Sequence, residues 1–163
     1  ARIAAALRSV IVGDGSKRPL LERMTSDRGL QNVRFFPYQP KALLHDSFSA
    51  ADVFVVSLKS GLEGFIVPSK VYGILAAGRP YIAATDQSAE PAMIARQSGC
   101  GLVAAPGDPD ALAGAIVAMY DNPAATREMG ARGRQVALQF DRKVAVQAYH
   151  DLFARVAAGA RVA

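Results

Sequence analysis

Five short apolar runs, Ser9–Val12, Asn32–Phe36, Asp52–Ser57, Tyr81–Ala84 and Gly101–Ala104, recur along the first 104 residues, with helix-like stretches at 17–28, 41–51, 68–78 and 90–98 between them. This alternation constrains the fold more than any other feature. Strands separated by helices pair in parallel, because a helical crossover carries the chain back to the same end of the sheet. The expected fold is therefore α/β: a Rossmann-like, doubly wound parallel sheet with helices on both faces, each strand parallel to the next. Beyond Gly107 no further strand is predicted, and helices are expected at 109–121, 124–139 and 142–157. The last places Val144, Ala148, Leu152 and Val156 on one face, an amphipathic spacing that completes a helical C-terminal end. Residues 1–8 read as helix running directly into the first strand. A parallel domain more often opens with a strand, so an additional first strand is expected upstream.

Composition narrows the function. The 163 residues are 51% hydrophobic and 20% charged, which suits one globular domain, 1–163, with a sizeable core. The 19 Lys and Arg exceed the 14 Asp and Glu, but they are dispersed, so no nucleic-acid footprint is expected and an anionic ligand or a membrane surface stays open. Cys100 has no second cysteine to pair with, and two widely separated histidines, each beside a single aspartate and with no cysteine nearby, do not make a zinc site. No apolar run approaches the roughly 18 residues of a membrane span, and no signal-peptide pattern is present. A reducing compartment fits. Asp108-Pro-Asp110 could be taken for a metal-binding pair, but Asp108 as helix N-cap before Pro109 explains it better, and no metal is assigned. His45 and His150 read as surface residues, and Cys100 as a small packed side chain.

Two segments carry the polar chemistry. Gly13-Asp-Gly15 follows a strand and precedes a helix, the position at which a backbone can approach a phosphate, but it lacks the third glycine of a dinucleotide fingerprint. Residues 61–80 place Glu63, Ser69 and Lys70 at the front of an apolar helix. An unpaired buried charge costs roughly several kcal/mol, so these groups either face a ligand or cap a solvated helix. A helix opening at Val67 or Pro68 would aim amides and its positive dipole end at an anion.

Several motifs then occur in a fixed order: Gly13-Asp-Gly15; Asn32-Val-Arg-Phe-Phe-Pro-Tyr38; Ala51-Asp-Val-Phe-Val-Val56; Glu63-Gly-Phe65 before Pro68-Ser-Lys70; Ala76-Ala-Gly-Arg-Pro80; Pro106-Gly-Asp-Pro-Asp-Ala-Leu112; Met129-Gly-Ala-Arg132. With them, the chain resembles the C-terminal donor domain of GT-B glycosyltransferases, in the retaining, nucleotide-sugar-using subgroup often called family four. The likeness covers almost the whole chain.

The resemblance implies one half of a two-domain enzyme, with the N-terminal acceptor domain elsewhere. It assigns Glu63 the catalytic position, contacting the donor sugar, and the backbone of Gly64, Phe65, Ile66 and Val67 a cradle for the diphosphate. Ser69 and Lys70 add a hydroxyl and a charge, Gly13 lines the site, and the loop Phe36-Pro-Tyr-Gln39 reads the base, with Tyr38 and Gln39 foremost. The family's ribose-binding glutamate, eight residues on, has no match: the count from Glu63 reaches Val71, and the count back from Ala76-Ala-Gly-Arg-Pro80 reaches Gly73. Lys70 or Tyr72 would have to compensate. The family's Arg and Lys on the diphosphate also have no counterpart, so the isolated domain is expected to be inactive. The implied ligands are a UDP- or GDP-sugar and a saccharide or lipid-linked acceptor, without metal or other cofactor, in the cytoplasm, either free or peripheral at the inner membrane face. The alternatives are a GT-B sugar-nucleotide epimerase and a non-catalytic nucleotide-binding domain. A dehydrogenase would need the full glycine fingerprint, and a response regulator an acidic pair that is not found.

Overall fold

The computed structural model describes residues 6–62 and 64–159. The chain divides into two compact units, Ala1–Ser47 and Phe48–Ala163.

In the first unit, β1 (Ser9–Val12) pairs in parallel with β2 (Val33–Phe36), Ser9 opposite Val33 and Val12 opposite Phe36, with α1 (Arg18–Asp27) as the crossover. A short 3-10 turn, Lys41–Leu43, leads into α2 (Leu44–Ser49). None of this unit's described residues is buried. Two strands and a helix have too little apolar surface to enclose a core.

The second unit carries a three-stranded parallel sheet in the order β3–β4–β5: β3 (Phe54–Ser57), β4 (Tyr81–Ala84) and β5 (Gly101–Ala104). The crossovers are α3 (Lys70–Ala76) and α4 (Glu90–Ser98), and α5 (Pro109–Asp121), α6 (Pro123–Ala137) and α7 (Arg142–Ala157) follow. All four residues of β4 are buried, as expected of a central parallel strand covered on both faces. Their side chains alternate between two clusters. Tyr81 and Ala83 join Val71, Ile74, Leu75, Ala92 and Ala95 from α3 and α4, whereas Ile82 joins Met119, Leu112 and Ile116 from α5. Helices thus cover both faces of this sheet.

The five expected strands all form, but not every one pairs with the next. Among the described residues the ladders are β1–β2 and β3–β4–β5, with none between β2 and β3. The helix read at 41–51 is a 3-10 turn followed by six α-helical residues, and the one at 124–139 ends in a 3-10 turn, Leu138–Phe140. The helix expected at 68–78 is shorter, Lys70–Ala76; Pro68 lies ahead of it and accepts the Val71 amide, and Gly78, at φ +67°, closes it. α7 buries none of its residues, and Val144 and Val156 stay about half exposed.

Two sequence motifs meet in the packing. Gly130 on α6 approaches the turn after α3 so closely that a Cβ would lie 2.3 Å from the Gly78 carbonyl oxygen and 3.1 Å from Pro80 Cδ. Only glycine fits there. These residues of the Met129-Gly-Ala-Arg132 and Ala76-Ala-Gly-Arg-Pro80 motifs therefore act in packing.

Candidate functional site

Ligands of open α/β sheets bind beyond the carboxyl ends of the strands; along the chain, Gly13 follows β1, residues 37–39 follow β2, and residues 64–69 lie between β3 and α3. In the first unit, Gly13 follows β1 with φ +117°, and its amide donates to the Phe36 carbonyl at 3.0 Å, so the ends of β1 and β2 are joined. Tyr38 is 69% exposed, with its ring free to meet a partner, while the Gln39 amide folds back onto the Pro37 carbonyl at 2.9 Å.

In the second unit the loop after β3 leads to α3. Glu63, the catalytic candidate, lies outside the described residues. Gly64 turns the chain at φ +78°, and Phe65, 86% exposed, stands out from it with Ile66 and Val67 also exposed. Two amides of the expected cradle have partners within the chain. The amides of Phe65 and Ile66 both donate to the Leu62 carbonyl, at 3.3 and 3.1 Å, because the turn at Gly64 closes on itself. Ser69 and Lys70 are exposed at the start of α3, and Ser69 makes no side-chain cap bond there.

Tyr72 and Gly73 are placed differently from the expectation. The Tyr72 hydroxyl donates to Glu90 Oε1 at 2.8 Å and its ring lies 4.9 Å from that of Phe140, so it ties α3 to α4 and to the turn before α7. Burial and then the Glu90 carboxylate push its phenol up to about 12. A hydroxyl committed in this way does not replace a ribose ligand. Gly73 faces the Phe48 ring, where a Cβ would sit 2.9 Å from Cζ, so an aromatic ring occupies the space in front of one of the two positions, Val71 and Gly73, that the counts offered for the glutamate.

A cavity of about 640 Å³ opens at the ends of β3, β4 and β5, lined by Ser57, Lys59, Ser60, Pro106, Asp108 and Leu112 among others. None of these was singled out as a ligand contact from sequence. The detectable signal was positional, since they directly follow β3 and β5. Asp108 is the N-cap of α5 and accepts from the amides of Asp110 and Ala111 at 3.0 and 2.9 Å, as its sequence context suggested. His45 and His150 are exposed, and Cys100 is fully buried. Among the described residues no three His, Cys, Asp or Glu side chains group to hold a metal ion, and no helix is long and apolar enough to cross a membrane.

The model of the family "Glycosyl transferases group 1" matches residues 1–122. Over 147 residues, 89% of this chain, the sequence is 32% identical to the lipopolysaccharide core biosynthesis glycosyltransferase LpsD of Rhizobium meliloti, and covers 40% of it. It is 33% identical over 102 residues to the probable glycosyltransferase WbjE of Pseudomonas aeruginosa, covering 63% of this chain and 26% of that one. The chain thus spans well under half the length of both relatives. Among solved structures, Anabaena Alr3699/HepE in complex with UDP superposes with a TM-score of 0.74 at 20% identity, over 91% of this chain and 41% of its own. WaaG, a glycosyltransferase involved in lipopolysaccharide biosynthesis, superposes with a TM-score of 0.64 at 18% identity, over 83% of this chain and 37% of its own, so the fold of parallel sheets flanked by helices is shared.

Proposed function

Because the chain belongs to the group 1 glycosyl transferases, we propose that it is the nucleotide-sugar-binding, C-terminal half of an enzyme that transfers a sugar to a saccharide or lipid-linked acceptor. The observation that carries the reading is the family match over residues 1–122, which spans the loops after β1, β2 and β3. The complexes of HepE with UDP and with UDP-glucose favour uridine over guanosine as the base. LpsD, named for lipopolysaccharide core biosynthesis, supports an acceptor of the surface-saccharide class, handled by residues outside this chain. The reading carries a retaining outcome and a cytoplasmic site of action, either free or peripheral at the inner membrane face.

The roles of Ser69 and Lys70 follow from exposure and charge, and that of Glu63 from the resemblance. Lys70 is exposed at the start of α3 and supplies a cation to the diphosphate. Ser69 adds a donor. With the Phe65 and Ile66 amides turned onto Leu62, the side chains of Ser69 and Lys70 carry a larger share of diphosphate binding than in a full amide cradle. Glu63 accepts hydrogen bonds from the sugar hydroxyls. No divalent metal enters this reading, because Lys70 supplies the positive charge, and a chelator should leave binding unchanged.

Titration of UDP and UDP-glucose into the wild-type chain and two variants tests the assignment. Glu63→Ala should weaken UDP-glucose while leaving UDP nearly unaffected, and Lys70→Ala should weaken both by about 1–3 kcal/mol, the worth of a charge-assisted hydrogen bond. Absence of wild-type binding to any nucleotide diphosphate at millimolar concentration would sink the reading. Equal losses for both ligands in both variants would show the roles to be misassigned. The occupied space before Gly73 favours one second reading, a domain that binds nucleotide without supporting transfer.

A further inference from the structure

Three oxygens from two chain segments converge on a single guanidinium nitrogen. Arg18 Nη1 donates to the carbonyls of Gly13 at 2.9 Å and Phe36 at 3.0 Å, and lies 3.0 Å from Asp14 Oδ1. Its Nε donates to Glu22 Oε1 at 2.8 Å. The guanidinium stands 5.9 Å from the centre of the Phe35 ring, and the side chain is only 21% exposed. Asp14 and Glu22 thus hold the fork from four residues on either side, and the aromatic ring sets its height.

The β1–β2 ladder does not need this residue for its register. The Gly13 amide already donates to the Phe36 carbonyl, continuing the pairing of Val12 with Phe36. Arg18 adds a second donor to that same carbonyl and ties down the Gly13 carbonyl, which leaves a glycine at φ +117°. These are the two peptide groups at which the chain leaves the strands. Fixing the Phe36 carbonyl fixes the plane of the peptide that enters Pro37-Tyr38-Gln39, a loop whose Tyr38 is exposed and whose Gln39 turns back onto the backbone. A planar fork can satisfy several oxygens with set directions, which the single ammonium of a lysine cannot do.

We propose that Arg18 is a positioning residue for nucleobase recognition: it touches no ligand, but sets the backbone at Gly13 and Phe36, and thereby the base-reading loop 37–39. The proposal rests on the nucleotide-sugar reading above. It also accounts for two acids, Asp14 and Glu22, committed to one arginine at the end of a two-stranded sheet.

The test is the ratio of affinities among UDP, GDP and ADP, titrated into the wild-type chain, Arg18→Lys and Glu22→Gln. A residue that only stabilises the fold would scale all three affinities by the same folded fraction, leaving their ratios unchanged. Arg18→Lys should weaken the preferred nucleotide about tenfold, the worth of one lost hydrogen bond to a charged group, and the others less, so that the preference shrinks. Glu22→Gln keeps the guanidinium and loosens its orientation, and should shift the same ratios in the same direction by a smaller factor. It decides the matter if Arg18→Lys does not fold. Unchanged ratios in a chain that binds nucleotides would overturn the role of Arg18 alone. A wild type that binds all three equally also overturns it, and a wild type that binds none removes the nucleotide-sugar reading together with this one.

Discussion

Phe48 and Gly73 form a close contact between a ring and a helix backbone. The Phe48 ring edge would lie 2.9 Å from a Cβ at position 73 and leaves no room there, so Gly73→Ala must displace Phe48 or bend α3. Overpacking costs about 1–3 kcal/mol, against roughly 1 kcal/mol regained when glycine leaves a helix, and a net loss of stability is expected in urea unfolding. Adding Phe48→Ala should remove the steric part of that loss and leave the cost of the cavity. Tyr72 provides a second residue-scale test. Its phenol is held neutral up to about 12 by burial and by Glu90, above its ordinary value of 10.0. A raised pKa means the folded state binds the proton more tightly, so this contribution is complete below pH 10 and disappears as pH rises through 12. Tyr72→Phe should therefore flatten part of the stability loss between pH 10 and 12 and cost about 1 kcal/mol at neutral pH. Tyr81, whose buried phenol is pushed up further by burial and then by Cys100, leaves some alkaline slope in the variant. A slope identical to wild type would mean that the Tyr72–Glu90 bond does not persist in solution.

Between elements, one tight demand is the approach of α6 to the turn after α3. Both sides of the contact are main chain or ring, with Gly130 against the Gly78 carbonyl and Pro80, so neither can yield by a rotamer change. Gly130→Ala should cost about 3 kcal/mol or more, since a Cβ at 2.3 Å forces the helix outward. Urea unfolding of this variant should show a larger midpoint shift than Gly114→Ala on α5, where a Cβ meets nothing within 4 Å. Equal shifts would contradict the close approach. The helix caps act in the same range but locally. Asp108 serves two amides at the start of α5, so its contribution belongs to that helix alone.

Across the whole molecule, burial is uneven. β4 is enclosed on both faces, whereas no described residue before Phe48 is buried, so amide exchange should be slowest at Tyr81–Ala84 and faster throughout β1 and β2. Comparable protection in Ser9–Val12 would refute that gradient. The same contrast separates what was legible in the chain from what was not. Strand and helix identities follow from apolar periodicity, and Glu90–Ser98, Pro109–Asp121 and Arg142–Ala157 appear with the bounds expected. The Asp108 cap follows from a cap residue beside a proline. These features depend on neighbours within a turn or two, so they are written in the order of residues, as are the alternation that makes the fold α/β and the motif order that places the family. Folding was needed to reveal that Phe48 fills the space at Gly73, that Tyr72 is spent on Glu90, that Arg18 reaches Phe36, and that Ser57, Lys59 and Asp108 share a cavity. In each case the partners lie many residues apart, on elements brought together by the sheet, and local periodicity carries no information about which side chains meet across such a separation.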